Sequence, residues 1–342
     1  MKELTLRQKK ILSLIIHEHI RSAESVGSKH LVRKYKLNLS PATIRNEMAV
    51  LTEAGYLRQP HTSAGRVPTE DGYRFFVGQL MNETSLPDNI RHTISHQFSQ
   101  MENDIKEWMQ LTASVLANQT HAASLVTAPQ AVEARVKHVE LISTHGRQVL
   151  AILVLEGGQI HQNILTLEEP VSQEMLSAVS ERFSKLFVGK NLNTIRTFQG
   201  LFGDLEARVM KWLEDELARS DRLPTGEIYI DGITNVLSEP EFADAEEARR
   251  ALRLLDERSL LQDMLLNTIL PEVIGGVQVI IGGEGRWDEL RQCSVILAKY
   301  GAPGVATGTL GILGPMRMPY SHSISTVRYL SGLLSDFISE QY

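Results

Sequence analysis

Arg45 and Asn46 stand side by side in a 342-residue sequence, and both side chains carry chemistry that can read a double helix. A guanidinium can donate two parallel hydrogen bonds to guanine O6 and N7, and a carboxamide can pair with adenine N6 and N7. At about 100° per residue, Ala42, Arg45, Asn46 and Ala49 fall on one side of a helix, while Ile44, Met48 and Leu51 form a stripe on the other. The small neighbours Ala42 and Ala49 would let such a helix sit deep in a major groove. An ordinary solvated surface fits the same pattern, so the run alone leaves both readings open.

Other chemistry finds weaker footing. His17 and His19 are two residues apart, so on a helix their imidazoles point about 200° apart and cannot share a metal ion. The Gly282-Gly283-Glu284-Gly285 loop follows a strand pattern but lacks the Lys-Ser/Thr ending of a phosphate loop, and Asp288 and Glu289 would oppose phosphate charge. The glycines at 301, 304, 308 and 311 miss the dinucleotide spacing and read as close backbone packing around a strand. The single cysteine, Cys293, has no flanking His and reads as a buried structural thiol; alone it forms no disulfide framework or multi-cysteine metal site. No G-x-S-x-G or H-E-x-x-H motif occurs. The expectation is a non-enzyme that uses neither metal nor cofactor.

The Arg45-Asn46 pair needs a frame, and the flanking sequence supplies one. Leu4–Ile20 carries Ile11, Leu12, Ile15 and Ile16 as one apolar stripe, which predicts a helix. A second helix is expected over Ser28–Tyr35, with Gly27 as N-cap and Val26 and Leu31 at staple spacing. The third, Pro41–Ala54, has Ser40 as N-cap, Pro41 at the first helical position, the Leu39–Ile44 staple, and Gly55 with Tyr56 as its ending. YLRQPHTSAGRVPT then reads as strand, turn, strand. Three helices and a basic-tipped hairpin predict a winged helix-turn-helix with Pro41–Ala54 in the groove. His61, Ser63 and Arg66 would touch the backbone or minor groove from the wing, and Lys29, Lys34, Lys36 and Arg58 would add phosphate contacts.

Charge agrees with a polyanion partner. The whole chain has a formal net charge of −6, but residues 1–80 hold 13 Lys and Arg against 7 Asp and Glu, and the other 262 hold 22 against 34. A basic head on an acidic body results. The composition, 42% hydrophobic and 22% charged, suffices for a packed core and more than one domain. No apolar run is long enough to span a bilayer, and the charged opening MKELTLRQKK is unlike a signal peptide. A cytoplasmic protein without membrane association is expected.

The run Gly27–Val77, with its SPATIRNEM and HTSAGRVPT stretches, resembles the heat-inducible transcription repressors called HrcA. VIIGGEG (Val279–Gly285), SVILAKY (Ser294–Tyr300) and GTLGILGPMRMPYS (Gly308–Ser321) look like the same family, and the middle of the chain resembles it less. Two departures stand out. The family usually has Thr and Asp in the stretch Met316–Pro319, and commonly Asn where Gly285 stands.

The resemblance implies a homodimeric repressor on an inverted-repeat operator of double-stranded DNA upstream of chaperone operons, kept active by a chaperonin. It implies base reading by Ser40, Ala42, Thr43, Arg45 and Asn46, with Arg66 on the wing. It also implies an α+β, multidomain fold: a winged-helix head (1–82), a linker (83–89), and a GAF-like domain in two segments (90–187 and 258–342) carrying a helix-rich dimerisation insertion (188–257). A small-molecule sensor acting through the GAF-like body is the alternative, and nothing in the sequence marks an effector pocket.

In the body, Ile90–Ala122 repeats apolar residues at three- and four-residue steps and predicts one long helix. Strands are expected at Val136–Ile142, Val149–Leu155 and Gln159–Leu165, then a helix at Gln173–Phe187. Helices at Gly203–Leu217 and Ala245–Asp256 precede a second strand group, Val277–Ile281, Ser294–Tyr300 and Gly308–Leu313, and a closing helix at Ser325–Ile338. Strands, helices, then strands suggest an antiparallel sheet with helices packed against it.

Overall fold

A computed structural model describes the chain except residues 1–3, 62–63, 82–84, 102–103, 132–133, 157, 199–201, 223–226, 269–275, 303–304 and 342. Three helices open it: α1 (Leu6–Ser22), α2 (Ser28–Tyr35) and α3 (Pro41–Glu53). The antiparallel pair β1 (Leu57–Arg58) and β2 (Val67–Pro68) follows, then α4 (Glu70–Phe75), which runs into a π-helical turn at Phe76–Leu80. A capping box fixes the start of α1: Thr5 accepts from Gln8 N, and Gln8 reaches back to the Thr5 backbone. Ile11, Leu12, Ile15 and Ile16 bury against Leu31, Ile44 and Leu51.

The long helix expected over Ile90–Ala122 is two helices, α5 (Asp88–Ser99) and α6 (Ile105–Thr120). Asp104 breaks it by capping α6, its carboxylate accepting from the backbone N–H groups of Lys106 and Glu107. The apolar rhythm continues across the break because both helices face the same core: Phe98 meets Trp108, and Trp108 stacks on Phe337 with ring centroids 3.8 Å apart.

Next come β3 (Ala123–Thr127) and the short β4 (Gln130–Ala131), then β5 (Val136–Ser143), β6 (Gln148–Leu155), β7 (Ile160–Thr166), α7 (Gln173–Phe187), α8 (Leu192–Arg196) and α9 (Asp204–Arg222). The chain continues through β8 (Ile228–Asp231), α10 (Ile233–Leu237), α11 (Ala245–Asp256), α12 (Arg258–Asn267), β9 (Val277–Ile281), β10 (Cys293–Ala302), β11 (Ala306–Pro315) and α13 (Tyr320–Gln341).

The two strand groups do not join one sheet, as their order in sequence suggested. A large antiparallel sheet has the order β8-β3-β11-β10-β9, with β4 pairing β11, whereas β5-β6-β7 form a sheet of their own. Burial explains the split. On the large sheet both faces are covered: Ile296, Ala298, Tyr300 and Leu310 pack with α6 and α13, and Val295, Leu297 and Leu313 pack with α10, α11 and α12. β10 is therefore buried nearly throughout. On β6 burial alternates strictly, because one face packs with α7, α8 and α9 in a separate core running from Ala134 to Leu217. The helical stretch between the strand groups is thus divided: α8 and α9 belong with the small sheet, α10 and α11 with the large one.

Central strand β3 escaped the sequence reading because its apolar run continues the helical rhythm of α6. Backbones approach closely between β10 and β11, as the glycine spacing suggested: a Cβ at Gly311 would lie 2.3 Å from Ile296 O, while Gly304 lies outside the described residues. Among the described residues no helix is long and apolar enough to cross a membrane.

Candidate nucleic-acid interface

Helix α3 begins where Ser40 Oγ accepts the N–H of Thr43 at 3.1 Å, with Pro41 in the first turn. It ends as Tyr56 N donates to Leu51 O at 3.0 Å across Gly55, whose φ of +86° suits glycine. Ile44, Met48 and Leu51 are buried, while Ala42, Arg45 and Asn46 are exposed and Ala49 is partly so. The Ser40 and Thr43 hydroxyls lie 2.9 Å apart and serve the cap first. Among the described residues neither Arg45 nor Asn46 makes a side-chain hydrogen bond or ion pair within the chain, and both are exposed.

Three ties hold this helix in place. Glu47 accepts from Gln8 Nε2 at 3.1 Å and from Arg7 Nη1 at 3.4 Å, which fastens α3 to the first turn of α1. Thr52 Oγ1 donates to Met48 O and accepts from Arg66 Nε at 3.0 Å, which fastens α3 to the β1–β2 hairpin. The hairpin is fixed in turn by a pair of 2.9 Å backbone hydrogen bonds between Arg66 and Val26. A Cβ at Gly65 would come within 2.4 Å of Val26 O, so this crossing needs glycine.

The residues expected to meet phosphate separate into two groups. Lys29 and Lys36 are exposed at opposite ends of α2, and His61 is exposed beyond β1. Ser63 lies outside the described residues. Arg66 is half-buried, with Nε engaged by Thr52. Lys34 is placed otherwise than its sequence position suggested: its ammonium lies 2.5 Å from Glu18 Oε1. Arg58 is exposed and lines a crevice with His19, Tyr73, Glu241 and Arg317.

Glu18 is the residue that sequence reasoning missed. It is only 3% exposed and receives Lys34, Tyr35 at 2.8 Å, His30 at 2.7 Å and Arg21 at 3.3 Å. Burial alone would push its carboxyl up, but hydrogen bonds from Lys34, His30, Tyr35 and Arg21 outweigh that and hold its pKa at about 2. A signal was available. Position 18 follows Ile11 and Ile15 along one stripe at helical spacing, so a carboxylate there has to be buried with partners. His17 and His19 diverge as expected, His17 edge-on to Phe76 and His19 Nδ1 2.9 Å from the Tyr73 hydroxyl. Burial lowers His19 to about 4, with Glu241 opposing and Arg317 and Arg58 reinforcing the shift.

Both depressed values tie stability to pH with one sign. His19 binds a proton more readily unfolded than folded, so its contribution is complete above about 6.5 and falls away towards 4. Glu18 adds a second loss from about 4.5 towards 2. Each is on the order of 2–3 kcal/mol. Urea unfolding of the full chain should therefore show a midpoint that drops between pH 6.5 and 4, and His19→Asn should flatten that limb. An unchanged slope in the variant would remove His19 from the account.

Comparison with known proteins places these features in context. The sequence profile described as HrcA protein C terminal domain matches residues 106–324. The chain is 42% identical to the heat-inducible transcription repressor HrcA of Roseiflexus castenholzii, over 99% of this chain and 96% of that protein. It is 41% identical to the protein of the same name from Chloroflexus aggregans, over 99% and 94%, and 41% identical to that of Thermomicrobium roseum, over 99% and 96%. A crystal structure described as a hypothetical protein shares the fold, with a TM-score of 0.64 and 23% identity over 99% of this chain and 100% of that one.

Proposed function

The chain belongs to the HrcA family of heat-inducible transcription repressors, which are not enzymes, and on that premise we propose that it represses by binding double-stranded DNA through α3 and the β1–β2 hairpin. The observation that carries this is the Arg45-Asn46 pair, exposed on a helix whose other face is buried and whose ends are tied to α1 and to the wing. The head is a winged helix-turn-helix in which Arg45 and Asn46 read base edges while Ser40, Ala42 and Thr43 line the approach. Lys29, Lys36, His61 and Arg66 supply backbone contacts, and Lys34 serves the head's interior instead.

The operator is an inverted repeat because the repressor is a homodimer. The large sheet with its helices is the GAF-like domain, and the insertion is proposed over about 134–222, not 188–257. The separate core from Ala134 to Leu217 supports that boundary. Its small sheet supports the dimer: Ile160 is 67% exposed, Ile164 56% and Ile142 39%, on a face that joins no apolar core among the described residues. Chaperonin keeps the active fraction high, and heat lowers it.

Footprinting on genomic fragments upstream of chaperone operons tests this reading. One protected inverted repeat is expected, lost after heating and regained more fully with chaperonin present. Uniform coverage without a protected site would sink sequence-specific repression, and equal recovery without chaperonin would remove the chaperonin.

A further inference from the structure

Arg317 stands between β11 and α13, and its guanidinium ties the head to the body. Nε donates to Glu241 Oε1 at 2.6 Å, and Nη2 donates to Glu241 Oε2 at 3.2 Å and also to Glu239. Nη1 donates to the carbonyl of Ile20 at 3.4 Å, in the last turns of α1. The side chain is 13% exposed, and Glu239 and Glu241 are 26% and 21% exposed. Carbonyls at a helix C-terminus carry negative partial charge, so one planar cation here satisfies two carboxylates and a helix end together. Lysine, a single point charge, could not fork across all three.

A second strap lies across the same seam. Arg74 of α4 donates to the Ile281 carbonyl of β9 at 2.8 Å while holding Glu70 at 3.0 Å and Asp71 at 2.8 Å. Between the straps the Tyr73 ring of the head meets Tyr320 of α13 at 6.0 Å, both buried. The head is therefore seated on an apolar contact and pinned on two sides by arginines. In that seating α3 keeps Arg45 and Asn46 exposed.

We propose that Arg317 is a positioning residue for operator binding: by clamping Glu239, Glu241 and the α1 terminus, it fixes the angle at which α3 leaves the body. The inference rests on the DNA-binding reading above. A dimer with fixed heads meets the second half-site already oriented, whereas loose heads must be ordered on binding and lose affinity for the pair. Each head taken singly reads its half-site equally well either way.

The test compares the native chain with Arg317→Met/Glu239→Gln/Glu241→Gln, which leaves no carboxylate stranded, and with Arg317→Lys. Duplexes carrying one or two half-sites are titrated, and hydrogen exchange is followed in residues 17–23 and 236–243. Half-site affinity should stay within about twofold while two-site affinity falls about tenfold or more. Exchange should rise in those two segments but not in β10, which shows that the body remains folded, and Arg317→Lys should restore only part of the two-site affinity. Two-site affinity that is unchanged or higher, or that falls equally with half-site affinity, overturns the proposal. Should the native chain bind no duplex, the DNA reading fails by itself, and unaltered exchange in the triple variant would separately end the clamp.

Discussion

Asn46→Ala should reduce the preference for operator over random duplex by roughly 10- to 100-fold, since a bidentate base contact is worth ~1–3 kcal/mol. Arg45→Ala should do the same at a different base pair. Random-sequence binding should hardly move, because neither side chain is assigned to phosphate. Lys36→Ala provides the contrast: affinity for both duplexes should fall together, and the salt dependence should lose about one unit of slope. The structure makes the first variant clean. Asn46 is exposed and has no side-chain partner among the described residues, so its removal leaves no buried group there unsatisfied. Lys34→Ala would be a poor control, because it strips a cation from buried Glu18 and acts first on folding. Competition gel shifts at fixed salt separate these outcomes. Equal losses on operator and random DNA for Asn46→Ala would remove base reading from α3.

The head was legible in the sequence because its signals are local. Ser40, Pro41 and Gly55 mark the ends of α3 through backbone hydrogen bonding within a few residues, and α2 is found over Ser28–Tyr35 with Gly27 as N-cap. Strand pairing was harder, because it depends on partners far away in the chain. β5, β6 and β7 look in sequence like the first half of one sheet, yet β11 takes β3 and β4 as neighbours and leaves those three to pair among themselves. Polar side chains divided in the same way. Arg45 and Asn46 were visible as types on a face, whereas the fates of Lys34 and Arg317 are set by Glu18, Glu239 and Glu241, which approach only after folding.

The sheet of β5, β6 and β7 leads to the other large expected effect. Its register aligns Ile142 with Leu150 and Leu150 with Ile164, and pairs Val154 with Ile160, which makes two apolar rows on the outer face, one on either side of the Glu140, Ile152 and Gln162 row. The opposite face already holds the core with α7 and α9. Burying such side chains contributes about 1.5–3 kcal/mol each, so leaving Ile142, Ile160 and Ile164 in water is costly unless a second copy covers them. Ile160→Glu/Ile164→Glu would put two carboxylates per protomer into that contact, where their burial carries a desolvation cost. Sedimentation should then show monomers at concentrations where the native chain is dimeric. Two-site operator affinity should drop by ~100-fold or more, because the second half-site no longer benefits from tethering. Half-site affinity should remain close to native, since both positions are solvent-facing within one protomer, while the unfolding midpoint should fall and lose its dependence on protein concentration. A variant that still sediments as a dimer would move the interface elsewhere, and one that is monomeric yet keeps full operator affinity would break the link between the two-fold axis and the inverted repeat.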